Sequence, residues 1–283
     1  KMTGDLQYDI FIIVMYIFTF LFGAAVGSFL NVCIYRLPKE ESLIKRNSHC
    51  MTCGAYIKHR DLIPIISWCL LKGKCRACGA KISPRYTVVE SLNAVGWLLI
   101  SLRFDIANNP FWCILNCLLF SALIVIFFMD WDTQLISTGV CIFIGVLAVP
   151  EFIWFRNFTC MGIKDHLLGA LITALPLFLI WLISKGKAMG LGDVYLMLAA
   201  GLYLGVSRGV AALAIGIIIG AIAGSILKKT GGSSKFAFGP WLAIGILISA
   251  LYGWDIVNLY MNATGLGELI YGEGYISKLP YNV

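Results

Sequence analysis

Residues 10–34 read IFIIVMYIFTFLFGAAVGSFLNVCI, an apolar run interrupted only by small or weakly polar side chains. A bilayer core of about 30 Å takes about 20 helical residues, so this run is long enough to span. The rest of the chain has the same character: 59% of its 283 residues are hydrophobic, 13% are charged, and the mean hydropathy is +0.85. A soluble protein of this length has no use for so much apolar surface, and the composition reads as an all-α polytopic membrane protein. No removable signal sequence is read near the N-terminus.

Working outward from that run, the apolar stretches predict about eight transmembrane helices, near 9–35, 86–104, 111–130, 136–155, 166–184, 191–205, 208–227 and 237–254. This gives a first transmembrane helix in 1–35, a polar loop domain in 36–85, a helical body in 86–254 and a tail in 255–283. Gly23 and Gly27 form a G-x-x-x-G within the first run, which predicts close helix packing.

Orientation follows from lysine and arginine. The segments 36–85, 130–136, 185–190 and 228–236 carry 16 of the 22 basic residues, and the bias makes them cytoplasmic. Both termini then lie outside. The net charge of +7 is explained by this basic rim beside anionic lipid, so no nucleic-acid partner is expected.

Asp130-Trp131-Asp132 closes one apolar run, and Gly190-Leu191-Gly192-Asp193 opens another. An acid at the centre of an inserted helix costs roughly 2.5–3.5 kcal/mol on insertion scales, which makes acids at membrane level functional candidates. The charge bias puts Asp130 and Asp193 at the cytoplasmic ends of their helices, on one side of the membrane. Gly190 and Gly192 lack a Cβ and leave room for a second group or a substrate to approach Asp193. Two carboxylates about 3 Å apart do not both ionise readily, so one holds a proton while the other activates water. Spacing alone leaves two readings open: aspartic-protease chemistry, or a proton relay in a transporter with a metal-stabilised loop.

The polar loop holds Cys50-Met51-Thr52-Cys53 and Cys75-Arg76-Ala77-Cys78, each followed by glycine. Two C-x2-C knuckles at this separation match a four-cysteine structural zinc site, and a reducing cytoplasm disfavours the alternative of two disulfides. Cys33, Cys69, Cys113, Cys117, Cys141 and Cys160 read as small packing residues, and His59 and His166 as surface residues. Glu90 stands at the mouth of the second helix, where it either binds a cationic group or pairs with Arg85. Asn31 and Arg36 at the end of the first helix are open between binding and capping.

Several of these segments together resemble the type IV prepilin peptidase family of GxGD membrane aspartic proteases. They are Phe22 to Val32 with Tyr35-Arg36-Leu37-Pro38, the double C-x2-C loop with Ile63-Pro64 and Ser67-Trp68, and Ile82 to Tyr86 running into Glu90. The two acidic motifs and Phe238-Gly239-Pro240 complete the match. The resemblance implies a bifunctional enzyme that cuts the basic leader from type IV prepilins or pseudopilins after glycine at the cytoplasmic face of the inner membrane. It also implies N-methylation of the new terminus with S-adenosylmethionine. Carried over, Asp130 and Asp193 are the catalytic acids, with Asp132, Gly190, Gly192 and Glu90 as assisting candidates. Cys50, Cys53, Cys75 and Cys78 hold structural zinc. No G-x-G-x-x-G follows a strand, so the donor site is not read from sequence. The alternatives are a leader peptidase without methyltransferase activity, or a proton-coupled transporter. Two positions depart from the family pattern: Ser137 stands where proline is expected, and Tyr195 where lysine is usual.

Overall fold

A computed structural model describes residues 6–45, 48–154, 160–229 and 236–265. Its described elements are helical: α1 (Leu6–Arg36), the short α2 (Ile66–Leu70), α3 (Arg85–Phe104), α4 (Pro110–Thr133), α5 (Thr138–Trp154), α6 (Cys160–Ser184), α7 (Leu191–Lys229) and α8 (Gly239–Thr264), with single 3₁₀ turns at Leu37–Lys39 and His59–Asp61. Six of the described helices are long and apolar enough to cross a bilayer. The eight expected from sequence differ from this at two places: α5 is shorter, and 191–229 forms one element interrupted at Gly205. Large apolar side chains such as Phe11, Phe18, Leu21, Leu171 and Leu175 point outward, as lipid-facing positions do.

The chain forms two compact units, Lys1–Val140 and Cys141–Val283. In the first, α1, α3 and α4 pack together. A Cβ at Gly27 would lie 2.8 Å from the Cα of Glu90, and one at Gly23 would lie 3.0 Å from that of Ala94, so the G-x-x-x-G is the seat of α3. A buried polar chain fastens the three helices. The Trp97 indole donates to Ser121 Oγ (2.9 Å), Ser121 to Asn93 Oδ1 (2.9 Å), and Asn93 Nδ2 to the Gly23 carbonyl (2.7 Å). With no water in hydrocarbon to satisfy these groups, each polar atom has been given a partner.

In the second unit, α7 packs between α6 and α8. Gly205 has φ 77° and ψ −177°, outside the helical region. The chain folds back there: a Cβ at Gly209 would lie 3.5 Å from the Cα of Gly201, whereas positions eight apart in a continuous helix are separated by about 12 Å along the axis. Asp165 closes on the space a Cβ at 205 would need. The break frees carbonyls, which buried side chains capture. The His166 ring bonds the Leu202 carbonyl at 2.8 Å, and Arg208 Nε donates to that of Leu204 at 3.0 Å. His166, expected at the surface, is therefore buried, because it satisfies unwound backbone where water is absent. Cys33, Cys113, Cys117 and Cys141 pack in the interior as expected, but Cys69 is exposed on the polar loop. The side chains of His59 and Cys160 lie outside the described residues.

Candidate active site

The first acid ends α4. Gln134 adopts φ 56° and its N–H bonds the Asp130 carbonyl at 2.9 Å, which stops the helix four residues after the acid. Asp130 is 5% exposed. Asp132, two residues on, points elsewhere: Arg85 at the start of α3 grips it with two bonds of 2.8 and 2.5 Å. The same guanidinium lies over the Phe128 ring, 5.1 Å from its centroid. The two acids of this motif are thus sorted by environment. Asp130 turns into the protein, and Asp132 ties the α4 end to the α3 start. Ser137 immediately precedes α5, a helix-initiating position that serine suits.

The second acid opens α7. Asp193 is the third residue of the helix and 7% exposed. A Cβ at Gly190 would lie 3.8 Å from Asp193 Oδ2, so this glycine stands against the carboxylate. The preceding turn is made by Lys185 and Gly186, whose N–H groups bond Leu182 and Trp181 carbonyls at the end of α6. Tyr195 is 41% exposed. Asp193 belongs to the C-terminal unit and Asp130 to the N-terminal one.

The polar loop is built on two matching knuckles. Cys50 N–H bonds the Ala55 carbonyl and Gly54 N–H the Cys50 carbonyl, both at 2.9 Å; Cys75 with Ala80, and Gly79 with Cys75, repeat the pattern at 2.8 and 2.9 Å. Gly54 and Gly79 take φ of 70° and 71°, the left-handed turn that brings each pair of thiols round. The four Sγ atoms lie within 4.8 Å of one another, a set that can hold a metal ion. Amides of Cys53 and Thr52 pull the Cys50 thiol down to about 6. Cys78 is pushed up to about 11: the lowering effect of its Ala80 amide is outweighed by hydrogen bonds with Cys53, by burial and by its other two thiol neighbours. Arg76 and Asp61 brace the second knuckle through a two-point bond of 2.7 and 2.9 Å.

Beneath the loop is a cavity of about 790 Å³, lined from α1 by Ser28, Asn31 and Tyr35, and from α3 by Tyr86, Thr87 and Glu90. Ser28, Asn31 and Tyr35 are spaced by three and four residues, and Glu90 follows Thr87 by three and Tyr86 by four, which puts Glu90 on the same helix face as each of them. Glu90 is 8% exposed and does not pair with Arg85; its Oε2 accepts the Ile65 N–H at 2.7 Å. Ile65 sits at φ 63°, ψ −54°, a region that a β-branched residue avoids. Asn31 Nδ2 bonds the Tyr86 carbonyl at 3.0 Å, tying α1 to α3, and Arg36 bonds the Ser42 and Leu43 carbonyls at 3.0 and 3.3 Å, tying α1 to the loop. Sequence reasoning missed Thr87 and Ile65. Thr87 was findable as a polar residue one turn before Glu90 on the same face, but no sequence signal announces a left-handed isoleucine.

These features define a membrane protein with buried helix-end acids and a four-thiol loop, and comparison with known proteins places it. Residues 21–104 match the bacterial peptidase A24 N-terminal domain, and residues 117–225 match the type IV leader peptidase family. The chain is 32% identical to a prepilin leader peptidase/N-methyltransferase of Bacillus subtilis (strain 168), over 86% of this chain and 96% of that one. It is 31% identical to the protein of that name from Aeromonas salmonicida (strain A449), over 86% and 92%. A type 4 prepilin-like proteins leader peptide-processing enzyme of Escherichia coli O78:H11 is 32% identical, over 81% and 93%. The chain belongs to the type IV leader peptidase family. No solved structure matches it significantly.

Proposed function

We propose that this chain is a prepilin leader peptidase/N-methyltransferase of the cytoplasmic membrane, cutting prepilins or pseudopilins after glycine and methylating the new terminus. The observation that carries the reading is the coexistence of Asp130 and Asp193, both acids buried at helix ends, with an intact four-cysteine loop. The basic-residue bias supports a cytoplasmic position for the acids and the loop.

Asp193 and Asp130 act together on the scissile peptide. Asp193 lies in the first turn of α7 and Asp130 in the last turn of α4. One of the two acids takes a proton from the attacking water while the other donates to the scissile carbonyl oxygen. Gly190 keeps space open beside the Asp193 carboxylate. Asp132 assists indirectly, by holding the end of α4 through Arg85.

Cys50, Cys53, Cys75 and Cys78 hold zinc. A tetrahedral ion with Zn–S near 2.3 Å needs S···S separations of about 3.8 Å, and Cys50 and Cys78 lie 3.9 Å apart. Four thiolates close the coordination sphere, so the ion shapes the loop. S-adenosylmethionine, when bound, supplies a methyl carbon that the new terminal amine attacks, the C–S electron pair leaving with sulfur and the amine giving one proton to water.

Incubation of purified protein with a prepilin peptide, read by mass spectrometry beside Asp193→Asn, tests the peptidase reading. Leader loss in wild type and an intact peptide with the variant are expected. Equal cleavage by both would remove Asp193 from the chemistry.

A further inference from the structure

We infer that the cavity beneath the cysteine loop binds the nucleoside sulfonium methyl donor, with Glu90 as the counter-charge at its cationic end and Thr87 as a hydrogen-bond partner. The inference rests on the methyltransferase reading above and assigns its site.

The volume of about 790 Å³ falls within the roughly 300–1,000 Å³ of small-molecule sites. Tyr35, Trp68 and Tyr86 supply aromatic surface for a nucleobase, among a small number of polar groups that would orient it.

Two of those groups are incomplete as they stand. Thr87 lines the cavity, and its Oγ1 is shielded from solvent with no hydrogen-bond partner among the described residues. A buried hydroxyl without a partner is costly, and a ligand oxygen or nitrogen completes it. Glu90 is a buried carboxylate whose hydrogen bonds come from neutral groups, the Ile65 amide and the Ser28 hydroxyl. Arg85 is engaged on Asp132, Arg76 on Asp61 and Arg36 on two loop carbonyls, and the cavity's Lys58 and Lys81 form no ion pair with Glu90 among the described residues. Buried charges are ordinarily paired, so the site is built to receive a cation from outside. Thr87 and Glu90 are one turn apart on α3, within reach of one ligand. The left-handed Ile65, whose amide points at Glu90, is the kind of local strain that collects at ligand clamps.

A sulfonium matches this arrangement, since it carries a positive charge with no proton to donate. The demethylated product is neutral at sulfur, so the carboxylate discriminates donor from product. Glu90→Gln keeps an oxygen to accept the Ile65 amide and removes only the charge. Thr87→Val keeps shape and removes only the hydroxyl.

Calorimetric titration of the full chain in detergent with S-adenosylmethionine and with S-adenosylhomocysteine reads both. Wild type binds the cationic compound more tightly than the neutral one, and Glu90→Gln reduces that preference about tenfold, the factor that 1.4 kcal/mol represents. Thr87→Val weakens both compounds several-fold without lowering the thermal midpoint, because the unliganded protein loses an unsatisfied group. An unchanged helical circular-dichroism spectrum in both variants reports an intact fold. An unchanged preference in Glu90→Gln, or unchanged affinities in Thr87→Val, overturns the inference while wild-type methylation stands. A wild type that binds neither compound and leaves a cleaved peptide unmethylated overturns the methyltransferase reading itself.

Discussion

The cysteine loop and the helix ends that carry the acids hold their functional groups by opposite means. In the loop, few side chains are buried, Ser67 among them; its shape comes from two knuckles, a thiol quartet and the Arg76–Asp61 pair. Asp130 instead lies in the last turn of its helix and Asp193 in the first turn of its own, and their neighbouring residues, Met129 and Ile126 in one case and Val194, Leu196 and Met197 in the other, are almost fully enclosed. A site made by metal and turns is separable from a site made by packing. One chain can therefore lose either activity without losing the other.

The largest expected effect breaks the packed site alone. Asp193→Asn and Asp130→Asn each lower leader cleavage roughly 10⁴-fold in a peptide assay, while each protein retains its metal. Next comes the loop. Removing zinc with a chelator, checked by elemental analysis, lowers methylation of a cleaved peptide by about 100-fold and cleavage by less than about tenfold, since the four-thiol set includes neither acid. Equal loss of both rates would show that the sites are not separable.

The Arg85–Asp132 pair links the two regions, because it ties the α3 start, beside the cavity, to the helix end that carries Asp130. Asp132→Asn is expected to lower both rates together by a few-fold, and the charge swap Arg85→Asp/Asp132→Arg to recover part of each. If Asp132 were a reacting group, the swap would recover nothing. The smallest effect is on the loop's acid stability. A hydrogen bond from Arg76 holds the Asp61 carboxyl below its usual range. Because the folded-state value is the lower one, the pair stabilises the loop fully above the ordinary carboxylate pKa near 3.9 and less as pH falls through the depressed value. The difference in thermal midpoint between wild type and Asp61→Asn should be constant above about pH 5 and close below pH 4.

The sequence carried much of this because membranes and metals impose strict patterns. Apolar runs set α1, α3 and α4 to within a few residues, and the C-x2-C-x-G repeats mapped directly onto two like knuckles. Legibility failed where the decisive contact is tertiary. From sequence Glu90 is open between binding a cationic group and pairing with Arg85, yet Arg85 bonds Asp132, a residue 47 positions away. His166 read as a surface histidine because nothing local reveals that Gly205 breaks a helix against it. The count of eight helices rested on hydropathy, which sees both arms of α7 but not the backbone turn that joins them.

The most direct test of two separable sites in one chain offers Asp130→Asn a peptide that already lacks its leader, with S-adenosylmethionine, and follows the methyl mass shift over time. The account predicts methylation at close to the wild-type rate by a protein that cannot cleave. Loss of methylation together with cleavage would contradict it, and would make the acids part of one shared centre.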